Sequence, residues 1–292
     1  MNTRHVLPVI WFAGVLGASL QGQSSHSIEY AAQKRLITYK GNVEYLTSKQ
    51  KLKLEVKNKT RDTVVFHIDP GQLFQPADPS YQPLMATRKK EIRLAPGEER
   101  PIFVNALCAN SPLKSAGTGS TTFRIAGQGD PRLAKLLTTI QENRWEEHVD
   151  PQRIIWSFTN NHSIAGLRIE GLDEDSKQRL KTTIAAILKT EVPWYSIVYR
   201  DPAPNSDVLF SGIAEHISGN IEYELQEKQD IRIVVMDEHG VVRKTLMCIG
   251  GQVPGKYTLP VAFSAPDFPQ GQYKIVVSGQ NAGEFGQFDF KI

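Results

Sequence analysis

The sequence predicts a mostly β protein with a helical middle segment, and three observations carry that expectation. Apolar and polar residues alternate through much of 28–129 and 208–292, the period that puts one face of a strand on a core. Turn-forming Gly, Pro, Asn and Asp residues punctuate those stretches at intervals of roughly 8 to 12 residues, as in a β-sandwich. From Asp130 the apolar spacing changes to that of a helix.

Ahead of the first strands, the basic Arg4 is followed by an apolar run over 6–20 and a polar stretch over 21–27. That order matches a secretory signal peptide, expected over 1–22. The run is short of the ~20 residues a spanning helix needs and is broken by Pro8, so no integral span is expected after cleavage. The expected location is extracytoplasmic: periplasm, cell surface or secreted.

The first module, 28–129, is read as a β-sandwich. Leu52, Leu54 and Val56 alternate with charged residues; the turn-prone 58–62 follows, then Val64, Val65, Phe66 and Ile68. Strands are also expected at 91–94 and 101–106, joined by Ala95-Pro96-Gly97-Glu98, whose Pro and Gly suit a type II turn. The segment 69–83 holds Pro70, Pro76, Pro79 and Pro83 and is expected to be a surface loop, because proline cannot donate to a ladder.

The helical segment, 130–198, opens on Asp130-Pro131, a cap and first-turn pair. Leu133, Leu136, Leu137 and Ile140 form one apolar stripe. A second helix is expected from Asp150-Pro151 with Ile154, Ile155 and Phe158 inward, and a third over 173–189 with Leu180, Ile184, Ile187 and Leu188 on one face. The stretch 199–207, rich in Pro, Asp and Asn, reads as a linker.

In 208–292 the alternation returns at Ile221, Tyr223 and Leu225 and at Ile231, Ile233 and Val235. Asp237-Glu238-His239-Gly240 supplies a hairpin turn, and further strands are expected over 241–248, 257–263, 273–277 and 285–292. The residues GNIEYELQEKQDIRIVVMDEHGVVRKTL, PGKYTLPVAF and FPQGQYKIVVSG resemble the Ig-like sandwich of flagellar-hook-cap type, which recurs as the C-terminal domain of type IX secretion cargo. The resemblance rests on Tyr223, on the strand running into Asp237 and Gly240, and on the Pro269-x-Gly271-x-Tyr273 turn. It implies that 208–292 is an Ig-like antiparallel β-sandwich, so the whole is expected to be two Ig-like sandwiches joined by short helices. At the secretion-signal positions the sequence carries Pro204-Asn205 in the reverse of the family's Asn-Pro order, and a single lysine, Lys291, near the close.

Residues 150–156, DPQRIIW, are similar to the Gln-x-x-Ile-Trp element of bacterial surface thioester domains, in which a Cys and a Gln side chain condense to a bond that captures amines. That likeness implies Cys108 as the partner of Gln152. Read without it, Gln152 faces water on a helix whose Ile154, Ile155 and Trp156 pack inward. Cys108 and Cys248 lie in different modules and are more simply two buried thiols than a disulfide.

Composition narrows the function. Charge is nearly balanced, 34 basic against 31 acidic residues, so no nucleic-acid partner is expected. There is no His-Glu-x-x-His, Cys-x-x-Cys or calcium loop, so no metal and no cofactor are expected. His67, and His148 beside Glu146-Glu147, read as structural or solvated histidines. The glycine-rich 115–120 and 127–129 lack the strand-then-helix frame of a phosphate loop. Asp173-Glu174-Asp175 suits a helix N-terminus better than a carboxylate dyad. Aromatic residues gather at Trp145, Trp156, Trp194, Tyr195 and Tyr199, and Trp194-Tyr195 after Pro193 is the candidate binding pair.

These observations together predict an exported, non-enzymatic binding or assembly protein of the bacterial cell envelope, acting on an envelope protein or glycan. The resemblance adds a type IX cargo. The alternatives are a covalent adhesin using Cys108 and Gln152, or an extracytoplasmic hydrolase.

Overall fold

The computed structural model describes residues 25–46, 49–279 and 283–292; the expected signal peptide, 1–22, lies outside the described residues. The chain is mostly β, as the alternation predicts. Ten strands come first: β1 (His26–Ser27), then helix α1 (Ile28–Gln33), β2 (Ile37–Leu46), β3 (Lys49–Asn58), β4 (Val64–Ile68), β5 (Gln72–Pro76), β6 (Leu84–Ala86), β7 (Lys90–Leu94), β8 (Glu99–Val104), β9 (Ala106–Cys108) and β10 (Thr122–Gln128). They form a three-stranded sheet, β1-β4-β7, and a seven-stranded sheet, β8-β3-β2-β10-β5-β6-β9. Apart from the parallel β1-β4 pair, their ladders are antiparallel.

The two sheets share one core. Leu52, Leu54 and Val56 of β3 are fully buried together with Phe66 and Ile68 of β4 and Leu94 of β7. The turn after β3 is held by the buried Asn58, whose Nδ2 donates to the carbonyls of Leu94 and Ala95 while its Oδ1 accepts from Thr60 N at 2.8 Å. Between β7 and β8, Gly97 takes φ +68° and Glu98 N donates to Ala95 O, the type II geometry that glycine permits at little cost.

Two expectations fail here. Residues 28–33 form a short helix rather than the start of a strand region, because Ser27 Oγ caps it by accepting from Tyr30 N. The proline-rich 69–83 is not all loop: β5 lies inside the seven-stranded sheet between β10 and β6. Its prolines stand outside the ladder's interior, Pro70 before the strand and Pro76 as its last residue, where a missing donor costs little.

Three helices follow: α2 (Pro131–Glu142), α3 (Pro151–Thr159) and α4 (Glu174–Leu188). Each starts on an aspartate that accepts from the first turn: Asp130 from Arg132 N, Asp150 from Gln152 N and Asp173 from Ser176 N. That contact satisfies a backbone donor the helix leaves free. Leu133, Leu136, Leu137 and Ile140 of α2, Ile154 and Ile155 of α3, and Leu180 and Ile184 of α4 bury one shared cluster together with Met85 of β6. Trp156 points away from it into the core of the preceding sheets.

Seven strands complete the chain: β11 (Tyr195–Tyr199), β12 (Ala214–Leu225), β13 (Gln229–Asp237), β14 (Val242–Gln252), β15 (Gly255–Ser264), β16 (Gln272–Gly279) and β17 (Glu284–Lys291). They pair antiparallel as β11-β12-β15 and β14-β13-β16-β17. The sheets close on one core, Ile217 and Ile221 meeting Ile231, Ile233, Val235, Ile275 and Val277. β11 falls where the sequence suggests the end of the helical segment and the start of a linker; α4 has already ended at Lys189, which takes the left-handed conformation, and Tyr195, Ile197 and Tyr199 alternate inward. Both cysteines are free, but only Cys108 is buried. Cys248 is exposed, standing opposite the exposed Arg232 on the outward face of the sheet. Phe210, between β11 and β12, packs against both β cores.

Among the described residues no helix is long and apolar enough to cross a membrane.

Candidate functional site

The structure brings Cys108 and Gln152 together. Cys108 ends β9, at one edge of the seven-stranded sheet, and Gln152 sits in the first turn of α3, which the Asp150 cap aims at that edge. Gln152 Oε1 accepts from Cys108 N at 3.0 Å, and Gln152 Nε2 donates to Cys108 O. The side-chain amide therefore occupies the place of the next strand's peptide group and satisfies both backbone groups of an edge residue. Gln152 is half-buried, and its amide is turned onto the β9 backbone rather than left to water. The Cys108 thiol lies 3.8 Å from Ser115 Oγ, and burial pushes its pKa up to about 11. Such a thiol is a weak nucleophile near neutral pH.

Trp194 and Tyr195 do comparable work at another edge. Trp194 Nε1 donates to Asp289 O at 2.8 Å; Tyr195 OH accepts from Lys291 N at 2.8 Å and donates to Lys291 O at 3.2 Å. All three bonds fall on β17, the last strand of its sheet, so two aromatic side chains bridge from one sheet to the exposed edge of the other. Gly219 is needed for this. A Cβ there would stand 2.7 Å from Trp194 O and 2.9 Å from its ring. Phe290 packs edge-on against both Trp194 and Tyr195.

Trp194 and Tyr195 also line a cleft of about 640 Å³ between the loops that follow α3 and α4 and the end of β17. Asn161, His162, Glu191, Gln272, Asp289 and Lys291 face it. A second hollow of about 440 Å³ lies beside it and shares Asn161, His162, Ser163 and Lys291. The walls mix one aromatic pair, amides and charges of both signs, a composition suited to a polar ligand held by several directional contacts.

His162 divides the two hollows, and nothing in the sequence singles it out. Its Nε2 lies 2.8 Å from Ser111 Oγ, and its ring packs 4.2 Å from Phe210 and 5.7 Å from Trp156. Burial, with the Arg153 charge adding to it, pulls its pKa down to about 4, so the imidazole is neutral at pH 7. Ser111 and His162 have the spacing of a nucleophile and its base. The surroundings do not serve acyl transfer. Ser111 is 2% exposed, its N–H is spent on Asn160 Oδ1 at 3.0 Å, and the next residue, Pro112, has no N–H to offer an oxyanion. The pair is a structural hydrogen bond joining the β9 end to the loop after α3.

Two of the other histidines are tied locally, His67 to Ser25 and Asp69 and His148 to Glu170 O. No group of three His, Cys, Asp or Glu residues among the described residues is placed to hold a metal ion.

No family model matches the chain. No curated protein matches it. Among solved structures it is similar to a β-glucosidase from Kluyveromyces marxianus in complex with glucose, at 9% identity over 83% of this chain and 45% of that one, with a TM-score of 0.20. A selenomethionine-labelled form of that enzyme matches at the same identity and TM-score over 44% of its length. The chain thus spans less than half of these proteins, and at that TM-score the likeness carries no argument about fold or activity.

Proposed function

We propose that this chain is an exported, non-enzymatic binding or assembly protein of the bacterial cell envelope, which seats part of an envelope protein or glycan in the cleft beside Trp194 and Tyr195. The observation that carries the reading is that cleft: about 640 Å³, open to solvent, with amide and charged side chains gathered around an aromatic pair. In this reading 208–292, extended backward by β11, is the Ig-like sandwich the sequence resembles, the sheets of 28–129 are the first sandwich, and the helices join them. The last module then acts either as a type IX secretion address or as an assembly module.

Fractionating native cells tests location and cargo status together. Recovery in the envelope, periplasm or medium supports export, and recovery in the cytoplasm removes it. Release with loss of the last module supports the type IX reading, whereas full-length retention in the periplasm counts against it. For the cleft, Glu191→Ala and Gln272→Ala alter exposed side chains; envelope association that survives both changes overturns the assignment.

The contact between Gln152 and Cys108 favours a second reading, the covalent adhesin. The Cys108 sulfur would attack the Gln152 side-chain carbonyl, a C–S bond would replace the C–N bond, and ammonia would leave with the thiol proton. The intact mass of purified protein decides it. A mass short by one ammonia, restored in Cys108→Ala, supports the thioester; an unmodified mass removes it.

A further inference from the structure

The polar side chains around the cleft beside Trp194 are uncommitted, while the backbone on its β17 side is spent. The amides of Asn161 and Gln272, the carboxylate of Glu191 and the ammonium of Lys291 face the cleft from exposed positions. None of the four makes a side-chain hydrogen bond or ion pair among the described residues. On β17, Asp289 O accepts from Trp194 Nε1, Lys291 N donates to Tyr195 OH, and Lys291 O accepts from the same hydroxyl. Just beyond it, Ile292 exchanges both of its backbone bonds with Gly271. An extended peptide arriving in the cleft therefore finds these ladder partners taken, and strand addition is the mode that reads a chain by its backbone. The Trp194 ring is fixed before anything binds. Its Nε1 is held 2.8 Å from Asp289 O, and the ring lies against Gly219, where a Cβ would stand 2.9 Å from it.

Resting on the assignment of that cleft as the binding site, we propose that its ligand is an uncharged glycan, a chain of hexopyranose units, rather than an envelope protein. A hexopyranose has an apolar C–H face and a rim of hydroxyls, each able to donate and to accept. The indole suits the face, because its negative π-surface attracts C–H hydrogens. Held in place beforehand, it loses no side-chain freedom on binding. Glu191 accepts from rim hydroxyls, and the amides of Asn161 and Gln272 both donate and accept. Charge narrows the class of sugar: Glu191 and Asp289 stand against Lys291, so the cleft has no excess of cation to hold a uronate, sulfated or phosphorylated glycan. The smaller hollow adjoins the cleft and shares Asn161, His162, Ser163 and Lys291 with it. Two adjoining polar hollows suit a ligand built of repeated units, each read by a few directional contacts.

The experiment measures retention of the full purified chain on envelope fractions of native cells prepared in three ways. One is untreated, one is digested with protease that is then inactivated by heat, and one is oxidised with periodate, which cleaves the vicinal diols of sugars. The expected result is retention that survives the protease and is lost to periodate. Asn161→Gly keeps a residue that tolerates the left-handed backbone at this position, φ +57°, and Gln272→Ala alters an exposed side chain. Each is expected to weaken retention about three- to tenfold with an unchanged urea midpoint. Retention lost to the protease, or kept after periodate, overturns the glycan and leaves an envelope protein as the ligand. Absence of retention on the untreated fraction overturns the envelope reading together with the glycan. Periodate-sensitive retention that both variants leave unchanged overturns the cleft as the place where the glycan binds.

Discussion

Gln152 and Cys108 meet across 44 residues of sequence as side chain against backbone: the amide of one pairs with both the N–H and the C=O of the other. The contact ties α3 to the edge of the seven-stranded sheet. Removing the amide leaves two polar groups of a buried residue unpaired, which costs more than the hydrogen bonds contribute net. Gln152→Ala is expected to lower unfolding free energy by about 2 to 3 kcal/mol, read as a lower urea midpoint with an unchanged slope. A loss below a few tenths of a kcal/mol would mean that α3 does not hold that edge in solution.

Tyr195 offers a sharper test of edge closure, since its hydroxyl alone serves both backbone groups of Lys291. Tyr195→Phe keeps the ring's packing on Phe290 and deletes the hydroxyl. The expected cost is about 1 to 2 kcal/mol, with faster hydrogen exchange at the Lys291 amide. Unchanged exchange there would separate Tyr195 from the protection of β17.

His162 sets a pH dependence whose sign follows from its lowered pKa. The folded chain holds the imidazole neutral down to about pH 4, while the unfolded chain takes up the proton near its ordinary value of about 6.5. The unfolded state therefore binds more protons between those limits, and stability falls as pH drops through that window. The contribution is fully present above it. His162→Phe, which keeps a ring between Phe210 and Trp156, is expected to flatten the difference in stability between pH 7 and pH 4.5. Parallel profiles for the two proteins would place the acid sensitivity elsewhere.

The two thiols are expected to behave differently. Cys248 is exposed on β14, whereas Cys108 is 1% exposed with its pKa near 11, leaving roughly one thiolate in a thousand at pH 8. Ellman's reagent at pH 8 should titrate one thiol in the native chain and two in denaturant. Rapid reaction of both in the native state would contradict the burial of Cys108.

The sequence by itself determined the β-rich class, most strand positions, the caps at Asp130, Asp150 and Asp173, and the turn at Gly97. Each of these is written in neighbouring residues, as alternation, as a helical stripe or as a cap just ahead of its helix. β5 and β11 escaped that reading because proline density and a nearby linker pattern masked short alternations that the surrounding sheet completes. The tertiary structure alone decided what the singled-out residues touch. Gln152, Trp194 and Tyr195 bond to the backbone of Cys108, Asp289 and Lys291, and a backbone acceptor carries no residue-type signature. His162 and Ser111 met the same limit, since a hydrogen bond between two loops needs only that folding bring them together. The exposed Cys248 likewise follows from the β13-β14 register, which sets it opposite the exposed Arg232, and register is a property of long-range pairing that local periodicity does not encode.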